Sequence, residues 1–109
     1  MRRRWLVAPV IALSVLAFGV AAQERAATLE HERGRRLFVD QGCHGCHTIN
    51  ALGTPIGPDL SHVGARYSES YLRRWLRDPQ AQRPSAHMPQ LELTEPQIAA
   101  LATFLSSLD

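Results

Sequence analysis

Hydrophobic and polar positions along this chain change pattern several times. From Trp5 to Ala22 the residues are uncharged and apolar on every side, as expected of a segment that meets no aqueous face. Charge then appears, and Glu30 to Asp40 reads as a helix with Thr28 as its N-cap and Gly34 and Phe38 at i and i+4 on one face. Gln41-Gly42 should end it. His47 to Leu60 holds Gly53, Pro55, Gly57 and Pro58 and is expected to be a loop.

A second helix should open at Tyr67-Ser68, with Ser68 capping and Tyr67 stapled to Leu72. Its apolar face is Leu72, Trp75 and Leu76, and Asp78-Pro79 should stop it. Pro79 to Leu91 then reads as irregular. The last helix has the clearest start: Thr94 caps, Gln97 completes a capping box, Leu93 and Ile98 form a staple, and Pro96 falls in the tolerant first turn. Ile98, Leu101, Leu105 and Leu108 then make one stripe facing a core. No segment sustains an alternation of period two, so the expected fold class is all-α.

The N-terminus has the layout of an export segment. Arg2-Arg3-Arg4 precede the apolar run, and Val20 and Ala22 supply small residues at the −3 and −1 positions of a cleavage site. Residues 1–22 are therefore expected to be a signal peptide and residues 23–109 the folded domain. The run is also, at about 1.5 Å per residue, just long enough for a thin bilayer, so an uncleaved membrane anchor stays open. Pro9 and the small-residue ending favour the signal. On either reading the arginines stay inside and the domain lies on the periplasmic or otherwise exported side of a bacterial inner membrane.

The chemistry concentrates in Cys43-His44-Gly45-Cys46-His47, the C-x-x-C-H pattern of c-type haem attachment. Two thiols three positions apart on one turn can each bond a haem vinyl group, and the next residue then offers its imidazole to the iron. Cys43 and Cys46 are read as thioether anchors and His47 as the proximal ligand, with no ligand role for His44. A thioredoxin-like pair would need a βαβ setting, which is not evident here. A structural zinc site would need a fourth ligand that no second motif supplies, and a disulfide across so short a loop would be strained.

Apart from the initiator, Met88 is the only methionine, in the stretch His87-Met88-Pro89. A thioether is a soft neutral ligand that favours ferrous iron, and Met88 is the expected sixth ligand. Its alternative is to fill a core gap. His87 and His62 are the rival ligands, and His31 reads as a solvated helix residue.

Size and charge sharpen the picture. At 109 residues the chain has room for one domain, which needs help from a cofactor or staple once the export segment is set aside. There is no lysine; removing Arg2 to Arg4 takes three of the 12 cations and none of the 10 acidic residues, leaving a slightly acidic domain. Nucleic acid is therefore not expected as a partner.

These residues resemble the class I cytochrome c family over essentially all of the chain after residue 22. The matching features are CHGCH, the GPDL segment at 57–60, RYSESYLRRWLRDP, HMP and LTEPQIAALATFLSSL. From Gly57 onward the chain is particularly similar to the cytochrome domain fused to subunit II of some haem–copper oxidases, although that subunit's copper-binding domain has no counterpart in these residues. The resemblance implies about three main helices wrapped around one covalent haem c. It implies that the Pro58 carbonyl accepts a hydrogen bond from His47, and that Gly34 and Phe38 meet Leu101 and Phe104 where the first helix crosses the last. It also offers Arg66, Tyr67 and Trp75 as contacts for the haem propionates.

The function so implied is single-electron transfer between exported redox proteins, a donor and an acceptor, with no catalytic residues. Arg73, Arg74 and Arg77 would give a docking patch or, more simply, a solvated helix face with a Glu69–Arg73 pair. One alternative is a subunit of a membrane-bound or periplasmic oxidoreductase held by the N-terminal segment. Another is an enzyme or gas sensor with Met88 off the iron, for which the sequence supplies no distal acid, base and arginine set.

Overall fold

The computed structural model describes residues 7–109. The Arg2-Arg3-Arg4 run of the export segment lies outside the described residues. The architecture is all-α with one minimal hairpin. Helix α1 spans Val7–Asp40, strands β1 (Thr48–Ile49) and β2 (Leu52–Gly53) follow, then α2 (Val63–Arg66), α3 (Glu69–Arg77), α4 (Pro79–Gln82) and α5 (Glu95–Ser106). α1, α3 and α5 are the three main helices.

α1 is a single helix of 34 residues and does not begin at Glu30. Thr28 is not its cap: the Thr28 hydroxyl donates to the Glu24 carbonyl at 2.9 Å from inside the helix. From Gln23 to Arg33 there is no glycine or proline, and Ala, Glu, Arg and Leu dominate, so nothing breaks the ladder between the apolar segment and the domain. The helix ends as expected, with Gly42 in the left-handed region at φ 75°.

The later helices follow their capping chemistry. Ser68 accepts from the Tyr71 N–H at the start of α3, and both bonds of the Thr94–Gln97 capping box are present at the start of α5. Asp78-Pro79 does stop α3, but it also starts α4, where Asp78 accepts from the Ala81 N–H and Pro79 occupies the first turn. That helix falls in a stretch expected to be irregular. The loop after His47 contains β1 and β2, paired antiparallel through Thr48↔Gly53 and Ile49↔Leu52. Asn50 and Ala51 both take positive φ in the connecting turn, a geometry usually marked by glycine. Tyr67, expected to staple onto Leu72, stacks its ring on Tyr71 at 4.8 Å.

The core sits where α1 crosses α5, with α3 laid against α5. Phe38, Ile98, Leu101, Phe104 and Leu105 are buried there, with Leu72 and Leu76 from α3 and Val63 from α2. Phe38 and Phe104 meet edge to face at 5.9 Å. Gly34 makes the approach possible: a Cβ there would run into the Ala100 carbonyl and lie 2.7 Å from Phe104 Cβ. Ala100, not named by the resemblance, is thus the direct neighbour of Gly34. Arg77 clamps α3 to the start of α5 through both carboxylate oxygens of Glu95, at 2.8 and 2.7 Å.

Two substitutions rank these contributions. Gly34→Val forces the α1–α5 crossing apart and should cost about 1–3 kcal/mol, whereas Thr94→Ala loses one cap and should cost about 1 kcal/mol. Chemical denaturation of both variants checks the order.

Candidate functional site

Gly42 turns the chain out of α1 into a tight 3-10 turn at Cys43–Gly45. The N–H groups of Cys46 and His47 both reach back to the Cys43 carbonyl, at 3.2 and 3.0 Å, so the two cysteines and the histidine are wound onto one turn. Both thiols are free, Cys46 exposed and Cys43 half-buried. Burial pushes the Cys43 thiol pKa up, because the thiolate would be poorly solvated there.

The turn opens onto a cavity of about 530 Å³, within the usual size for a cofactor site. Phe38, Leu72, Leu76, Leu101 and Leu105 give it an apolar wall. Cys43, Cys46, His47, Pro58, Arg66, Tyr67, Trp75 and Met88 all line it, so every site residue expected from the sequence converges on one space. His44 does not: its ring packs edge-on against Phe38 at 4.8 Å, and its Nδ1 lies 3.2 Å from the Leu52 carbonyl.

His47 is fixed by one bond. Its Nδ1 lies 2.8 Å from the Pro58 carbonyl. A carbonyl can only accept, so Nδ1–H is the donor, which leaves Nε2 as the nitrogen that a metal would take. Gly57 lets the chain lie this close, since a Cβ there would stand 2.7 Å from His47 Cε1. The next residue but one, Asp59, holds the loop in place. Its Oδ1 accepts from Thr48 at 2.8 Å and Ser61 at 2.9 Å, and Ser61 in turn accepts the Asn50 N–H at 2.7 Å. The Thr48 and Ser61 hydroxyls draw the Asp59 carboxyl below its usual range. Asp59 thus ties the Pro58 segment to the β1–β2 hairpin, a role that local sequence patterns do not signal.

Met88 is brought to the same cavity from far along the chain. Its carbonyl accepts from the Gln80 side chain at 2.8 Å, and the same amide group reaches the Ala86 carbonyl at 3.1 Å. The Trp75 indole N–H points at Met88 Sδ, 3.2 Å away. Trp75, expected as a propionate contact, thus lines the cavity beside the Met88 sulfur. Of the other histidines, His87 lines the cavity and His62 does not; His62 lies against the Asp109 main chain, 3.3 Å from its oxygen. His31, expected to be solvated, is half-buried, 2.9 Å from the Ser107 hydroxyl with its ring edge-on to Phe104.

The donor set fits a c-type haem. An imidazole with an oriented ring, a thioether and two free thiols face an apolar space, and a flat, largely apolar macrocycle with a soft-ligated iron suits such walls. On α3 the surface arginines are mostly neutralised, Arg73 by Glu69 at 2.7 Å and Arg77 by Glu95, which matches the simpler reading of that face.

The family model for cytochrome c matches residues 31–109. Among curated proteins, cytochrome c oxidase subunit 2 of Alkalihalophilus pseudofirmus is 32% identical over 95 residues, covering 79% of this chain and 28% of that protein. Subunit 2 of the oxidase from Bacillus sp. strain PS3 is 33% identical over 92 residues, covering 71% and 26%. A nitric oxide reductase subunit of Stutzerimonas stutzeri is 29% identical over 79 residues, covering 67% and 54%. The chain thus spans from about a quarter to about half the length of these relatives.

Asp59 gives a pH test of the loop. Its folded pKa is depressed, so its contribution is present above the unfolded value, near 3.8, and fades as pH falls through the lower folded value. Asp59→Asn should therefore be less stable than the parent at neutral pH, with the gap closing below about pH 4. Urea unfolding of both proteins from pH 7 to pH 2.5 checks this; parallel curves would remove Asp59 from the account.

Proposed function

This chain belongs to the cytochrome c family, and from that membership we propose that it carries single electrons between exported redox proteins through one covalent haem c. The observation that carries the reading is the convergence of Cys43, Cys46, His47 and the distant Met88 on one apolar cavity. When bound, the haem supplies a one-electron iron couple. The chain's own residues supply attachment, ligation and a dry setting. Cys43 and Cys46 anchor through thioether bonds, His47 offers Nε2 while Pro58 holds its other nitrogen, and Met88 offers its sulfur.

Trp75 extends this arrangement. An N–H aimed at the thioether draws electron density from the sulfur and makes it a poorer donor, which favours the reduced state. Arg66 and Tyr67, at the cavity wall, are proposed contacts for the propionates. With His47 and Met88 both holding the iron, no coordination site would be left for a substrate, so we read the chain as a carrier and not as an enzyme. The donor and acceptor are redox proteins.

A specific observation favours a second form of this reading, a cytochrome subunit anchored in the membrane. α1 is long and apolar enough to cross a bilayer, and none of its apolar stretch is buried. The same helix continues without a break into the core at Gly34 and Phe38. The relatives named above are subunits of an oxidase and of a nitric oxide reductase. Cleavage after Ala22 would instead release the domain on the exported side. The mass of the mature chain separates the two: residues 1–22 retained in the membrane fraction supports the anchor, and a soluble product beginning at Gln23 excludes it.

The central proposal is tested by mass and by spectrum. The mature protein should carry one haem on thioether bonds, giving a c-type pyridine haemochrome, and Cys43→Ser/Cys46→Ser should abolish the attachment. Met88→Ala should remove the far-red charge-transfer band of the oxidised form and lower the midpoint potential. Trp75→Phe should keep that band and also lower the potential, by less. A colourless mature protein with the mass of bare polypeptide would end the proposal.

A further inference from the structure

Five arginines lie from Arg66 to Arg83, and the structure treats them in two ways. Arg73 and Arg77 are neutralised by Glu69 and Glu95, and Arg74 lies over the Tyr71 ring at 5.8 Å, off the cavity wall. Arg66 and Arg83 do line the cavity. Among the described residues neither has a carboxylate within 4.0 Å. Arg66 has only a long bond, 3.4 Å, to the Asp59 carbonyl.

Arg83 is held in place by its surroundings. Its N–H bonds the Pro79 carbonyl at 3.0 Å, Pro84 restricts the backbone that precedes it, and its guanidinium stands 6.0 Å from the Trp75 ring centroid. Apart from Cys43, Cys46 and His47, the other titratable groups on the cavity are Asp59, His87, Tyr67 and Tyr71. The Asp59 carboxylate is already engaged by Thr48 and Ser61, so it is not placed to answer either arginine.

Both side chains are solvent-exposed, so they stand at the open edge of a mainly apolar cavity, where an anionic group on an otherwise apolar ligand would also keep its contact with water. Guanidinium is the side chain best shaped to hold a carboxylate by a paired fork of hydrogen bonds. We propose that Arg83, together with Arg66, binds the two propionate carboxylates of the haem. The inference rests on the haem reading above. It adds Arg83, a residue that the sequence pattern leaves indistinguishable from the surface arginines of α3.

The test is the pH dependence of the midpoint potential in the holoprotein, from pH 5 to 9. Arg83 keeps its propionate ionised throughout, so the parent should show a shallow curve. In Arg83→Gln the propionate pKa rises toward neutrality. The potential should then shift downward above that pKa, where the carboxylate is ionised and unpaired, and climb toward the parent value below it. The new step should persist in Arg83→Gln/His87→Gln, which removes the titration of His87. Arg83→Lys should give a smaller shift, and Arg74→Gln should follow the parent.

A haem-loaded Arg83→Gln protein whose curve superimposes on the parent overturns the inference and leaves the haem reading intact. A change confined to Trp75 fluorescence, with the curve unmoved, overturns it equally, because it assigns Arg83 to packing alone. If Arg83→Gln does not mature, the Arg83→Lys curve decides: a shift supports the propionate role and coincidence with the parent removes it. A parent protein lacking haem overturns both readings.

Discussion

Where α1 crosses α5, the absence of a side chain at Gly34 lets the helix pack against the Ala100 carbonyl and the base of Phe104. The rest of the domain depends on that contact. One turn later Phe38 fills the crossing and reaches both Phe104 and His44, and Gly42 then swings the chain into the turn that bears Cys43, Cys46 and His47. The placement of the two thiols and the imidazole is therefore set by helix packing and not by the motif alone. A wider crossing would move that turn relative to the wall formed by Leu101 and Leu105. A short domain has little other core with which to correct such an error.

The Pro58 loop, which orients His47, and the Met88 loop are each held by residues outside the proposed ligand set. Asp59 fastens the Pro58 loop to the hairpin, and Gln80 fastens the Met88 loop through the Ala86 and Met88 carbonyls. Both act on hydroxyls or main-chain oxygens, so each fixes a backbone path while leaving the neighbouring side chains free to face the cavity. Irregular segments carry His47's partner and Met88 for the same reason that loops generally carry function: a helix or strand would spend those carbonyls on its own ladder.

Much of this was legible in the sequence. The caps of α3 and α5 were, because Ser68 and the Thr94–Gln97 pair act within a few residues of themselves. So were the cysteine turn and the His47–Pro58 contact, the second through family resemblance. The start of α1 was not, since a good N-cap residue at Thr28 lies among strong helix formers and bonds backward to Glu24 instead. The β1–β2 turn lacks glycine at Asn50-Ala51 and so gave no signal. Asp78-Pro79 was read as a stop, although aspartate followed by proline is equally a start. Asp59, Gln80 and the Trp75–Met88 bond depend on contacts between separate segments, which no local spacing reports.

Charge placement follows from the same geometry. A carrier should change little between oxidation states, because any polar group that must turn when the charge changes slows the transfer. Here the groups nearest the proposed iron ligands are already committed: Nδ1 of His47 to Pro58, the Trp75 N–H to Met88, the Asp59 carboxylate to two hydroxyls. Arg73 and Arg77, absent from the cavity wall, are committed to Glu69 and Glu95. Fixed dipoles around the proposed ligands, with Arg73 and Arg77 paired off on the outer face of α3, would leave little there to reorganise when an electron arrives.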